Sequence, residues 1–284
     1  MYRRLRLLIT AFLMFTGLLA QVSVALETAT QGTVLRLATT TSVESSELLS
    51  HLLPDFQRQT GIQVEVLAVG TGQALAIGRR GDADLLITHS PSAEQKLIDD
   101  GVVITAYPLM HNRFLLVGPI GDQANIMAIT SIDKALSQIA NSKQMFISRG
   151  DNSGTHMKEV SLWRKIMITP DWSGYLSAGQ GMSASLRMAN ELSAYTLTDR
   201  GSWLAHRHQL DNLQAFSAAG TSLYNPYRIL MLNPEGYSHL NFEAAETFSQ
   251  WLLSDTVQKK IGQFSADGLW LFCPANKQQR MHCE

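Results

Sequence analysis

The chain has 284 residues, 45% of them hydrophobic, 17% charged and 8% aromatic, with a formal net charge of −1. This is a globular composition, long enough for one large domain or two lobes, with no low-complexity tract and no repeat of 20–50 residues. The absence of basic clustering argues against a nucleic-acid partner.

The first 25 residues stand apart. MYRRLRLLITAFLMFTGLLAQVSVA carries Arg3, Arg4 and Arg6 and then an apolar run from Leu7 to Ala20. Ser23 and Ala25 have the spacing of a cleavage site, so residues 1–25 read as a secretory signal peptide. Thr10, Thr16 and Gly17 interrupt the run, which is shorter than the ~20 residues a membrane span needs. No cysteine follows it, which argues against a lipid anchor there. Removal of the signal leaves 20 basic and 24 acidic side chains, a net charge of −4. The expected location is the periplasm.

After the signal, short apolar runs of β type alternate with runs of helical period. Val34 to Ala38 is a strand candidate. From Val43 to Gln59, Leu48, Leu49, Leu52, Leu53 and Phe56 fall on one helical face, and Thr60-Gly61 ends the helix. IQVEVLAV (62–69) alternates as a strand. Asp84 to Thr88 reads as a buried strand and Ser92 to Asp99 as a short helix. Phe114 to Val117 is a strand ended by Gly118-Pro119. Ser131 to Ala140 is a helix and Gln144 to Ile147 a strand. Helices are expected at about 155–166 and 182–193. Tyr227 to Leu232 is a strand between two prolines, and a helix follows from about 241 to 253. This alternation predicts an α/β fold with largely parallel sheets. Taking the strands near 114–117 and 227–232 as crossings gives a first lobe of 33–112 plus 233–284 and a second of 113–232. The two cysteines, Cys273 and Cys283, lie in the tail and are expected to pair in an oxidising compartment. Neither has the spacing of a zinc ligand.

Three loops rich in small and hydroxyl residues sit at strand ends. The first is Thr39-Thr40-Thr41-Ser42, the second Gly70-Thr71-Gly72. The third, in FISRGDNSGTHMKE, runs from Ser148 through Arg149 to Ser153-Gly154-Thr155. In open α/β sheets ligands bind beyond the carboxyl ends of the strands. Helix N-termini there offer free N–H groups and a partial positive charge, and hydroxyls add donors. Arg149 adds a full charge and a rigid fork that matches oxyanion oxygens. Each loop taken alone is also a helix cap, a turn or a surface arginine; the joint occurrence makes an anion site the sharper expectation. There is no GxxxxGK[ST] run, which argues against nucleotide hydrolysis. Gly150-Asp151-Asn152-Ser153-Gly154 is one residue longer than the Gly-Asp-Ser-Gly of serine proteases, and no Gly-x-Ser-x-Gly elbow surrounds Ser153. A secreted hydrolase using Ser153 is therefore the competing reading from a different class. Arg149-Gly150-Asp151 has a second copy at Arg80-Gly81-Asp82, so an adhesion signal is not expected. His89, after a strand, reads as a packed or hydrogen-bonded histidine that could reach the cleft.

TTTS, GTGQAL, GDADLLITH, FISRGDNSGTH, GQGM and AYTLTDRG, in this order, resemble the substrate-binding proteins of tungstate ABC transporters. The resemblance covers nearly the whole chain after the signal, to NPYRILMLNP and LWLFCP. It implies a two-lobed type II periplasmic binding fold with a hinge, closing on one oxyanion. It implies ligand donors at Thr40 and Ser42, at Thr71, and at Arg149, Ser153 and Thr155. It further implies tungstate as the ligand, with molybdate, sulfate or phosphate as alternatives, a membrane permease as partner, and no enzymatic activity, cofactor or metal site. A monomer is expected. Ser183 and Ser202 stand where the family often has glycine and threonine. Tungstate and molybdate carry no proton near neutral pH and need donors only. Asp151 is therefore expected to brace Arg149 rather than to face a dianion.

Overall fold

The computed structural model describes residues 33–218, 220–276 and 278; the expected signal peptide and Cys283 lie outside this range. Cys273 is buried and disulfide-bonded. Strand β1 (Val34–Thr40) is followed by α1 (Thr41–Ser45), α2 (Leu48–Thr60), β2 (Gln63–Val69), α3 (Thr71–Arg80), β3 (Leu85–Thr88) and α4 (Pro91–Asp99). Then come the 17-residue strand β4 (Val103–Pro119), α5 (Ile132–Asn141), β5 (Phe146–Ser148), α6 (Gly154–Lys165), β6 (Tyr175–Ser177) and α7 (Met182–Glu191). The chain continues through β7 (Tyr195–Asp199), α8 (Arg200–His206), β8 (Leu213–Ala215), β9 (Tyr224–Leu232), α9 (Phe242–Leu253) and α10 (Asp255–Gln263).

The helix expected from Val43 to Gln59 is two helices. Glu47 adopts φ 62°, which an α-helix cannot contain. The Ser46 hydroxyl donates to the Val43 carbonyl at 2.6 Å and closes the first turn locally. Beyond the break, Leu48, Leu49, Leu52 and Phe56 face the core as the periodicity requires. Gly61 ends α2 at φ 73° with its N–H on the Gln57 carbonyl, the left-handed stop that glycine makes without strain.

β1 lies parallel to β2 and to β3, and β5 lies parallel to β6 and β7. These two parallel blocks are joined through β9 and β4, in the order β2-β1-β3-β9-β4-β7-β5-β6. β3 pairs antiparallel with β9, β9 with β4, and β4 with β7. The blocks therefore run in opposite directions along the same two long strands. Thr88, at the end of β3, is opposite Arg228, and Asp199, at the end of β7, is opposite Phe114. Between these points lie the paired residues Asn112 and Asn225 and their neighbours. The carboxyl ends of the two parallel blocks consequently face each other across this crossing, and the loops after β1, β2, β3, β5 and β7 meet there.

The largest core cluster runs through both blocks, from Leu37 and Leu85 to Ile147 and Leu186, and two smaller ones follow the division. Phe114, Leu116, Ile132, Leu136, Phe146, Trp163 and Tyr195 form a cluster around the second block, and Ala38, Ala74, Leu86, Leu97, Leu230 and Leu232 another beside the first. No helix among the described residues is long and apolar enough to cross a membrane.

Candidate anion-binding site

The residues expected from sequence are each buried at a strand end. Thr40, Ser42, Thr71, Arg149, Ser153 and Thr155 are all at most 3% exposed. A buried arginine and five buried hydroxyls are costly unless they find partners. Some do. Ser153 caps α6, its Oγ accepting from the His156 N–H at 3.2 Å. Thr40 Oγ1 and Ser42 Oγ lie 3.0 Å apart, and Ser42 Oγ lies 3.2 Å from His89 Nε2.

Others do not. Thr71 Oγ1, Arg149 Nε and Thr155 Oγ1 are buried without a hydrogen-bond partner among the described residues. Each belongs to one of the loops described above. Buried polar groups are nearly always satisfied, so donors from two loops left open together mark a place built for an acceptor-rich ligand. Arg149 is held by Asp151, whose Oδ2 pairs with Nη2. Asp151 Oδ1 also accepts from the Ser153 N–H at 3.1 Å. Burial pushes the Asp151 carboxyl up, but the Ser153 bonds and the Arg149 charge outweigh it and hold it below the usual range. Asp151 is thus ionised, braces Arg149, and cancels much of its charge at a distance. What remains for a ligand is short-range donation from buried groups.

The two blocks touch at these loops. A Cβ on Gly70 would meet the Asp151 carbonyl oxygen at 3.8 Å, and one on Gly72 the Asn152 carbonyl oxygen at 3.6 Å. The GTG loop after β2 therefore packs against the RGDN loop after β5. Gly154, the first residue of α6, lies against His89 so closely that a Cβ would stand 2.4 Å from the ring.

Two further groups belong to the site: His89, expected as a packed or hydrogen-bonded histidine, and Glu159, which sequence reasoning missed. His89, 4% exposed, bridges Ser42 and the crossing strands. Its Nδ1 lies 2.8 Å from Asn225 Oδ1, and its ring stacks on Tyr227 with centroids 4.7 Å apart. Burial, aided by the Arg149 charge, pushes its pKa down against the opposing Asn225 bond and the Asp199 and Glu94 charges. The second group is Glu159 on α6. It accepts from Trp163 Nε1 at 3.0 Å and from the Tyr175 hydroxyl at 2.6 Å. Burial raises its pKa, while Tyr175, Ser148, Trp163 and the Arg149 main chain oppose that shift. Glu159 thus lies directly behind the Ser148-Arg149 turn. Its signal in the sequence was weak, because a lone glutamate on a helix reads as a solvated face.

Ser42, His89 and Asn225 are connected in the manner of a nucleophile, base and orienting group. Ser153, the serine of the competing reading, has no such partner: its hydroxyl caps a helix, and the His156 ring accepts from the Asn152 N–H at 3.0 Å. No group of three or more His, Cys, Asp or Glu suited to a metal ion occurs among the described residues.

The chain is similar to known proteins over most of its length. Residues 24–256 match the model of the PBP superfamily domain. The tungstate-binding protein TupA of Peptoclostridium acidaminophilum is 41% identical over 96% of this chain and 98% of its own. That of Campylobacter jejuni is 35% identical over 78% of this chain and 84% of its own. Among solved structures, the tungstate-binding protein TupA from Desulfovibrio alaskensis G20 superimposes with a TM-score of 0.74 at 37% identity, covering 85% of this chain and 98% of that one.

Proposed function

Because this chain belongs to the PBP superfamily and, within it, to the tungstate-binding proteins of ABC transporters, we propose that it captures tungstate in the periplasm and delivers it to a membrane permease. The observation that carries this reading is the set of buried, unsatisfied donors Thr71 Oγ1, Arg149 Nε and Thr155 Oγ1 on loops in contact. A tetrahedral dianion has four acceptor oxygens and no hydrogen to donate. It would supply the missing partners and would be repelled only weakly by Asp151, whose charge Arg149 already engages.

We assign the lobes to residues 33–112 with 233–284 and to residues 113–232, hinging where β4 and β9 cross. Lobe closure brings Thr40, Ser42 and Thr71 from one side against Arg149, Ser153 and Thr155 from the other. These side chains are mostly fixed by packing before the ligand arrives, which reduces the entropic cost of binding. Nothing in this mechanism requires bond making, and the protein acts as a monomeric carrier. Preference for tungstate over molybdate rests on the relatives alone, since the two ions are alike in size and charge.

Calorimetry with sodium tungstate tests the proposal. Arg149→Ala removes a buried charge-assisted partner and leaves Asp151 uncompensated, so affinity is expected to fall by about 2–5 kcal/mol, ~30- to several-thousandfold. Wild-type affinity in a variant that still melts cooperatively would refute it. A competing titration with molybdate ranks the two anions. Labelling of the purified protein by a serine-directed covalent probe would instead favour the hydrolase reading.

A further inference from the structure

The polar chain behind the first-lobe loops has a definite hydrogen count. Asn225 Nδ2 donates to Asn112 Oδ1 at 2.7 Å and to the Tyr227 hydroxyl at 3.1 Å. Its Oδ1 is therefore the atom facing His89, and His89 Nδ1 must carry the hydrogen of that 2.8 Å bond. In a neutral imidazole this leaves Nε2 as an acceptor. The Ser42 hydroxyl, 3.2 Å away, donates to it. With its own hydrogen so used, Ser42 Oγ can only accept, from Thr40 Oγ1 at 3.0 Å and from the Tyr227 hydroxyl, whose own hydrogen is not needed by Asn225. Two contacts consume two hydroxyl hydrogens. Toward the cleft, Thr40 and Ser42 have no hydrogen left to offer, while a fully deprotonated oxyanion has only lone pairs.

We infer that His89 is a positioning residue that reverses this chain by taking up a proton when the anion is captured. A hydrogen added from solvent to Nε2 is donated to Ser42 Oγ. Three hydrogens then serve two contacts, and one hydroxyl hydrogen of the Thr40–Ser42 pair is released to the anion. No other bond changes. The inference rests on the oxyanion reading above and adds a proton to it.

The surroundings of His89 suit a group that charges only with its ligand. Burial and Arg149, from the loop after β5, disfavour the imidazolium. Asp199 at the end of β7 and Glu94 on α4 favour it, with Glu94 already paired to Arg228. From α6, Lys158 adds a cation whose ammonium donates to the Ser222 carbonyl at 3.1 Å and lies over Phe114. From β9 come the neutral Asn225 and Tyr227, and Arg228, the cation paired with Glu94. A bound dianion adds negative charge on the Arg149 side and shifts the balance toward the imidazolium.

The test is calorimetry with sodium tungstate at neutral to mildly alkaline pH, in two buffers of different protonation heat. Wild-type protein is expected to take up roughly one proton per tungstate, with affinity falling by up to about tenfold per pH unit. His89→Gln is expected to bind without proton uptake and with a flat pH profile. If that variant fails to fold, Asn225→Asp serves: its carboxylate holds His89 charged beforehand, so tungstate binds and the uptake disappears. Nitrogen NMR of His89 is expected to show the Nδ1–H tautomer without ligand and the imidazolium with it. Tungstate binding with no proton uptake overturns this inference alone, as does uptake that persists in the variants. Absence of tungstate binding by the wild type refutes the oxyanion reading itself.

Discussion

Gly154→Ala places a single methyl group between the start of α6 and His89. The new Cβ would stand 2.4 Å from His89 Cε1, 2.7 Å from Nε2 and 3.0 Å from Nδ1, where ordinary contact begins at 3.4 Å. The ring cannot give way cheaply. It is bonded to Ser42 at 3.2 Å and to Asn225 at 2.8 Å, and it stacks on Tyr227. Overpacking of this kind costs about 1–3 kcal/mol, and a weakened buried hydrogen bond adds about 1 kcal/mol. Under the lobe assignment proposed above, Gly154 and His89 lie in opposite lobes, so the cost falls on the closed state. Tungstate affinity should therefore drop by about 2–4 kcal/mol, ~30- to 1,000-fold. Helix propensity predicts the opposite sign for stability, since alanine is favoured over glycine in a helix by up to about 1 kcal/mol. The melting temperature without ligand should stay level or rise, while the stabilisation by tungstate shrinks. Calorimetry and thermal melts with and without tungstate measure both. Affinity within about threefold of wild type, a change under 0.7 kcal/mol or so, would refute the closed-contact reasoning.

Other outcomes follow from the same geometry. Thr71→Val and Thr155→Val remove buried hydroxyls that lack partners. Each should leave ligand-free stability unchanged or raise it by up to about 1–3 kcal/mol while weakening tungstate binding, a pairing of signs visible by chemical denaturation and titration. Glu159 has its pKa raised by burial. Its contribution to stability is thus fully present below the ordinary glutamate pKa and is lost as pH rises through the raised value. Glu159→Gln should flatten that part of the profile of melting temperature against pH, and an unchanged profile would mean that Glu159 titrates normally.

The sequence alone determined the α/β alternation, most helix faces and the loops that carry the chemistry. These are local properties. Leu48 to Phe56 repeat at helical period, Gly61 stops a helix by its own backbone freedom, and Ser153 caps α6 through a residue three positions on. Local signals failed where the structure departs from a regular pattern. β4 runs for 17 residues, but only Phe114 to Val117 was legible. Pro108 and two register shifts break the alternation before that point. The segment Thr71–Arg80 forms a helix although Gly70, just before it, and Gly72, within it, read as a turn. Its start is positioned by the end of β2, and its buried Ala74, Leu75 and Ile77 pack against the sheet. The tertiary structure alone decided what those loops do together. His89 meets Asn225 across 136 residues of chain, and it meets Gly154 only because β4 and β9 turn the two parallel blocks toward each other. A residue's local neighbours set its helix, strand or cap. Whether a buried hydroxyl is satisfied or left open depends on groups that only the folded chain brings within 3 Å or so.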